Sequence, residues 1–343
     1  MKLLETKEGV VNFFLYNGEE IFVDNEKIVI EGKEFPVGID PYYDSNAKYG
    51  CEGDVLYKYI HDENDVRIFF RFDGNSFVEE NFRYKSKKYY NSQQFSSISS
   101  IDGNIQISLM DKGTERLIDF TSEDKYFVLT YDIPNEVLVL IEWYDESLLF
   151  YTKTGERLWE YTVKEGYEIL EGAIVVVDDV VVITCKDEKG RLASAEGYNL
   201  LTGEKLWEIT DRKCLDRAYT MGPDKMLYAL STVMSEDHTH ELQLDKLNPF
   251  NGEVEVTVIE KGEYWTEIWP WNTTIYGNKL FYTNLLRSKG PSFGVIDLDT
   301  KKIIEDIPLN VIGYQIETPI VTDEKIYVRV KDLNELRIYK NEY

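Results

Sequence analysis

One seven-residue phrase occurs twice in this chain, and its recurrence constrains the fold more than any other feature. The segments Tyr151 to Glu160 and Asn199 to Glu208 share Thr-Gly-Glu-(Arg/Lys)-Leu-Trp-Glu, with Trp159 and Trp207 standing 48 residues apart. Looser copies follow around Gly252 and around Thr300-Lys301, so the glycine-equivalent positions are 155, 203, 252 and 301. A fixed period of this length marks a chain built from repeated supersecondary units, none of which buries its apolar face alone. Upstream, Gly74 and Gly113 sit in similar turns, and Gly18 reads as a seventh. Turns at such spacing match four-stranded propeller blades.

Each copy has the chemistry of a β-hairpin. An alternating apolar strand runs into Thr-Gly or Asn-Gly, where Gly155, Gly203 and Gly252 supply a positive φ, and a second strand leaves. Two further strand-like runs precede the hairpin, as in 173–177 with 180–184, then 225–233, then 279–285. Helical periodicity is scarce. The expected fold is all-β: residues 1–343 as a single closed β-propeller of about seven four-stranded blades, with six or eight compatible with the same spacings. Closure needs the termini to share a blade, because two open sheet edges would otherwise face each other. The strands at 318–321, 325–330 and 336–340 have no Thr-Gly hairpin after them, and the segments 10–16 and 19–23 are expected to supply the missing pairing.

The Thr-Gly-x-x-x-Trp pattern resembles the tryptophan-docking repeat of the pyrroloquinoline-quinone-type β-propellers. The resemblance runs over roughly residues 134–310 and implies that each indole packs against the next blade. Only Trp159 and Trp207 occupy the docking position; Leu117, Val256 and Glu305 stand there in other copies. The alanine that usually begins the motif is replaced by Leu149 and Gly197. Blade packing in the degenerate copies must therefore come from other apolar side chains. The quinone dehydrogenases of this group normally carry a longer propeller, a calcium site and often a vicinal cysteine pair. This sequence has no Cys-Cys, and no cofactor is expected.

The chain of 343 residues is 43% hydrophobic and 14% aromatic, enough to bury a large core, and its formal net charge is −25. A field of that sign repels phosphate backbones and anionic bilayers, which argues against nucleic-acid and membrane partners, and it attracts a basic protein. Met1 to Glu8 meets charge before any apolar run, so no signal peptide is expected, nor any lipid anchor or membrane span. Three separated cysteines, Cys51, Cys185 and Cys214, do not form a disulfide framework. A cytoplasmic location is expected.

Catalytic signatures are scarce. There is no nucleophile elbow, phosphate-binding loop or dinucleotide fingerprint. His238 and His240 are close enough to share one face of a strand beside Glu236, Asp237 and Glu241, but they read better as a polar loop than as a metal site. Asp178-Asp179 reads as a turn. The stretch holding Tyr264, Trp265, Trp269 and Trp271 is the candidate partner-binding surface, since aromatics on a connection between blades are frequent anchors. The alternative is that Trp265 and Trp269 fill the space left by the docking tryptophan missing at Val256.

The expected function is therefore a non-catalytic, protein-binding propeller with a basic partner, such as a bacterial immunity protein that neutralises a toxin. Two readings compete with it: an enzyme acting on carbohydrate or another small ligand through channel carboxylates, and a structural adaptor in a larger assembly.

Overall fold

In the computed structural model the described residues are 1–16, 18–24, 26–30, 32–37, 48–52, 55–61, 67–84, 95–101, 104–111, 114–121, 127–129, 137–142, 147–152, 156–187, 192–213, 219–234, 239–262, 268–284, 290–311 and 316–343. Their strands form eight antiparallel sheets. In chain order, sheet I holds Asn12–Tyr16, Glu19–Val23, Lys27–Ile30 and Lys33–Pro36, and sheet II holds Lys48–Glu52, Val55–His61, Arg67–Phe72 and Phe77–Tyr84. Sheet III has three strands, Phe95–Ile101, Asn104–Asp111 and Thr114–Thr121. Sheet IV comprises Phe127–Leu129, Val137–Glu142, Ser147–Thr152 and Arg157–Thr162. Sheet V comprises Tyr167–Val177, Val180–Asp187, Leu192–Asn199 and Lys205–Lys213. Thr220–Met221, Leu227–Met234, His240–Leu247 and Val254–Gly262 make sheet VI, and Ile268–Tyr276, Lys279–Asn284, Ser292–Asp297 and Lys302–Pro308 make sheet VII. Sheet VIII joins Ile320–Val321, Lys325–Val330 and Glu335–Lys340 to the N-terminal strand Leu3–Lys7. Strands are paired in the order in which the chain makes them, as propeller blades require. The helical element among the described residues is the short 3-10 turn Lys331–Leu333, and no helix there is long and apolar enough to cross a membrane.

The sheets group into two compact units, Gly9–Thr162 with sheets I–IV, and Met1–Glu8 with Val163–Tyr343, which holds sheets V–VIII. In the second unit the period of two along each strand explains how the blades stack. Residues paired across adjacent strands share a face. In sheet VI, Leu227, Ala229 and Leu247 pack with Val180, Val182, Ala195 and Trp207 of sheet V. The alternate residues Tyr228, Leu230, Leu242 and Leu244 pack with Leu280, Tyr282 and Ile296 of sheet VII. Phe281, Phe293 and Val295, on the other face of sheet VII, meet Ile326, Val328 and Val330 of sheet VIII. A sheet buried on both faces in this way has no solvent side, which is why its strands read as apolar runs. Sheets I and II pack likewise, through Ile21, Val23, Ile28 and Ile30 against Leu56 and Phe72.

The last hairpins of sheets V, VI and VII share one register. Asn199, Asn248 and Asp297 occupy one position, and the carbonyl of each accepts the amide of the residue four further on, at 2.9, 3.0 and 2.8 Å. That residue is Gly203, Gly252 or Lys301, with φ of 69°, 75° and 56°. The lysine therefore adopts the left-handed conformation of the glycines it replaces. Gly155 lies outside the described residues. Gly18 does not belong to this series: it has φ 79° but joins the first two strands of sheet I, and the turn before the last strand of that sheet contains Gly32. Asp178-Asp179 is a two-residue hairpin turn, as the sequence implies, with Asp178 at φ 54°.

Sheet VIII is closed by pairing of N- and C-terminal strands, though not by the residues expected. Leu3–Lys7 pairs with Glu335–Lys340, in the register Leu3 to Tyr339 and Lys7 to Leu336. Asn12–Tyr16 and Glu19–Val23 instead open sheet I. The sequence favoured the second pair because they are strongly apolar. An outermost strand has one solvated side, and Leu3, Leu4 and Glu5 are indeed exposed, so apolarity was the wrong criterion for finding it.

Asp297 offers a test of the shared turn. Its carboxylate is held well below the ordinary range, first by the hydrogen bond from Lys279 Nζ at 2.8 Å, then by the amide and hydroxyl of Thr300 at 2.7 and 2.9 Å. A folded-state pKa below the unfolded value contributes stability at neutral pH that is lost as pH falls through the acid range. Asp297→Asn keeps the turn acceptor, as Asn199 and Asn248 do, and loses only the charge. It is expected to cost at most about 1 kcal/mol at pH 7, with the difference in Tm from wild type constant down to about pH 4 and narrowing only below it. Thermal melts across that range decide it, and a gap independent of pH would refute the assignment.

Candidate functional site

Sheets V–VIII present two unlike ends. At one end lie the hairpins between first and second strands and those between third and fourth strands, and they are short. Ion pairs and hydrogen bonds link neighbouring blades there: Lys225 to Asp178 at 2.6 Å, Lys301 to Glu255, and Tyr276 to Asp323. Side chains cap the turns themselves. Asn199 Oδ1 accepts the amides of Leu201 and Thr202 at 3.1 and 3.0 Å, and Asn248 Oδ1 accepts that of Phe250 at 3.0 Å. This end is a stitched rim.

Among the described strands, the ends that flank 188–191, 214–218, 235–238, 263–267, 285–289 and 312–315 lie at the opposite end. Such an end, carried on a rigid frame, is where propeller loops vary and bind. His238 and Tyr264 with Trp265 lie outside the described residues. Trp269 and Trp271 fall in the strand Ile268–Tyr276, whose backbone is described there while their side chains are not. Of the residues that flank the two candidate regions, Met234, His240 and Gly262 lie side by side in sheet VI, and Ile268 pairs with Asn284 in sheet VII. His240 itself is half-buried. Among the described residues, no group of three or more His, Cys, Asp or Glu is placed to hold a metal.

The Trp207 indole packs between two glycines: a Cβ at Gly197, directly across in its own sheet, would lie 2.2 Å from Cε2, and one at Gly252, in the next blade, 2.8 Å from Cδ2. Trp207 Nε1 also donates to the carbonyl of Pro249 at 2.7 Å, in the hairpin that contains Gly252. This is blade docking by one side chain. Trp159 differs. It stacks on Phe150, its cross-strand partner, at 3.7 Å between ring centroids and 8° between planes, and is only half-buried. At the third docking position Val256 is exposed.

Sequence reading missed three polar clusters, because their members are distant along the chain or unremarkable in so acidic a protein. Tyr198 donates to Glu196 at 2.7 Å, and Lys205 bridges Glu196 and Glu208 at 3.0 Å each. Burial, then the Glu196 carboxylate, push the Tyr198 phenol above its usual value. In sheet VI, Tyr228 and Lys246 converge on Asp224 at 2.9 and 2.8 Å. These two clusters are internally satisfied and read as structural. The third runs inward from the loop end along one face of His240–Leu247: Glu241, bridged to Lys261 at 2.5 Å and to Gln243 at 2.9 Å, and then Asp245, which is fully buried.

The outermost strands add a second surface. They alternate acid with exposed apolar residues, as in Glu255, Val256, Val258 and Glu260 of sheet VI and Ile304 with Asp306 of sheet VII.

No family model matches the chain, and no curated protein matches it by sequence. Its fold is similar to those of solved β-propeller proteins. A prolyl endopeptidase structure, 12% identical, superposes with a TM-score of 0.53 over 95% of this chain and 55% of that one. Likeness at that identity speaks for the fold alone. The β-propeller domain of Cps50 (Swd1) from Myceliophteria thermophila is 8% identical, with a TM-score of 0.48 over 98% of this chain and 100% of that one. Sqt1 of Chaetomium thermophilum, solved bound to the N-terminus of ribosomal protein L10, is 10% identical, with a TM-score of 0.48 over 84% of each chain. The fold class is that of a β-propeller.

Proposed function

We propose that this chain is a non-catalytic, cytoplasmic protein-binding propeller with a basic partner, in its sharpest form an inhibitor such as the immunity protein of a toxin. The observation that carries the reading is the formal net charge of −25 on a repeat scaffold. Such a field accelerates encounter with a cationic surface and repels nucleic acid. The aromatic stretch holding Tyr264, Trp265, Trp269 and Trp271 supplies anchors of the kind that dominate binding energy.

Affinity capture from the native host, with the purified partner then titrated against the chain, tests this. A single stoichiometric basic protein is expected, with the Kd weakening about tenfold or more as salt rises from about 50 to about 300 mM. Trp271→Ala and Trp269→Ala are each expected to weaken binding by about tenfold or more while leaving thermal melts near wild type. Absence of a stoichiometric partner, or affinity indifferent to salt, ends the reading. Turnover of a glycoside by the purified chain would replace it with the carboxylate enzyme.

A further inference from the structure

We infer that the interface between sheets V and VI encloses a hydration site, in which an ordered water joins the hydroxyls of Thr184 and Ser231. Thr184 is 1% exposed and Ser231 2%, and neither Thr184 Oγ1 nor Ser231 Oγ makes a hydrogen bond to protein. An unmet buried hydroxyl costs roughly 1–3 kcal/mol, and both face the same interface. Thr184 pairs with Ala195 and lies two residues beyond Val182; Ser231 pairs with Gln243 and lies two residues beyond Ala229. Val182, Ala195 and Ala229 all belong to the apolar cluster that joins the two sheets. Strand alternation therefore carries both hydroxyls into the next layer of that same interface, on the side towards the loop end.

The surrounding side chains are small, and one of them offers an acceptor. Ala193, Ala195 and Ala229 are small and buried, where the neighbouring interfaces use Leu230, Tyr282, Phe281 and Phe293. Asp245, paired with Ala229 and wholly buried, presents its carboxylate on the same face. A water there accepts one hydrogen bond from each hydroxyl and donates its protons to carboxylate oxygen, which gives it the two to four polar partners that a buried water needs. The row Glu241, Gln243, Asp245 connects this layer to the loop end. A face otherwise committed to blade packing thus carries a row of three acidic or amide side chains. They fit a polar path for solvent.

The sign of a stability change tests the inference. Thr184→Val preserves shape and removes the hydroxyl. If Thr184 Oγ1 has no partner, the substitution relieves an unmet group and raises Tm. If a water is bound, it lowers Tm by about 2–4 °C, and Ser231→Ala does the same. Because the first substitution already releases the water, the double variant is expected to lose clearly less than the two single losses combined. Thr184→Ser, which keeps the hydroxyl, controls for packing. A crystal structure of the wild-type chain is expected to show a peak at about 2.7–3.0 Å from both hydroxyl oxygens. Stabilised or strictly additive variants would overturn the inference. So would a peak at metal-ligand distances that raises Tm on adding calcium.

Discussion

Trp207→Ala is expected to lower the melting temperature of the chain by on the order of 10 °C, corresponding to about 3–5 kcal/mol. The indole is buried in the seam between sheets V and VI, lies against Gly197 and Gly252, and donates its only N–H to Pro249. Truncation opens a cavity bounded by two residues with no side chain to fill it, and leaves the Pro249 carbonyl without its donor. Trp207→Phe separates the effects, since it keeps most of the ring and loses only the hydrogen bond, for about 1–2 kcal/mol. Gly252→Ala attacks the same contact from the other blade: the residue has φ 75°, and its Cβ would lie 2.8 to 2.9 Å from three indole atoms. Trp159→Ala should cost distinctly less, because that indole is half-buried and stacks on Phe150. Calorimetric melts of the four variants check the order. A Trp207→Ala chain within 1 kcal/mol of wild type would mean that the motif does not dock blades.

The contrast between the two tryptophans shows what the sequence could disclose. Thr-Gly-x-x-x-Trp is legible wherever the hairpin must fold the same way, because a left-handed residue four positions after Asn199, Asn248 or Asp297 is a local requirement. Lys301 hides the third instance only by residue type. Among the described residues, the turns between third and fourth strands contain Gly32, Gly74, Gly203, Gly252 and Lys301, and the last blade ends on Leu3–Lys7 without such a turn. Nothing local marks that strand, since its pairing partner is some 330 residues away.

The candidate site was less legible. Tyr264, Trp265 and His238 were suggested by composition and lie outside the described residues; the strand ends that flank them, at Met234, His240, Gly262 and Ile268, are described. Strand order alone, once known, supplies the placement of those ends. Thr184, Ser231 and Asp245 gave no signal, because a hydroxyl or carboxylate in an alternating strand normally marks the solvated face. Only a sheet buried on both sides makes such residues exceptional.

Degenerate copies of the repeat need a different packing device, and sheet VII shows one. In the preceding copy Val256 stands in the docking position and is exposed, and the space between sheets VI and VII is filled instead from the second strand of sheet VII, by Tyr282 lying over its cross-strand partner Gly294. A Cβ at Gly294 would fall 2.2 Å from Tyr282 Cζ and 2.4 Å from its hydroxyl oxygen. Tyr282 is 1% exposed and is held by Leu230, Leu242, Leu244, Leu280 and Ile296, so it has nowhere to withdraw. Gly294→Ala is therefore expected to destabilise the chain by about 2–4 kcal/mol, at or beyond the usual cost of overpacking. Tyr282→Leu alone should also destabilise, by leaving a cavity over the glycine. Combined, the two changes are expected to offset each other by 1 kcal/mol or more, since the new methyl occupies space that the ring vacates. Strict additivity in a double-mutant cycle would show that the glycine answers some other constraint. Coupling would show that an aromatic laid across a glycine, supplied from the fourth strand in sheet V and from the second in sheet VII, is the device that survives when the docking motif decays.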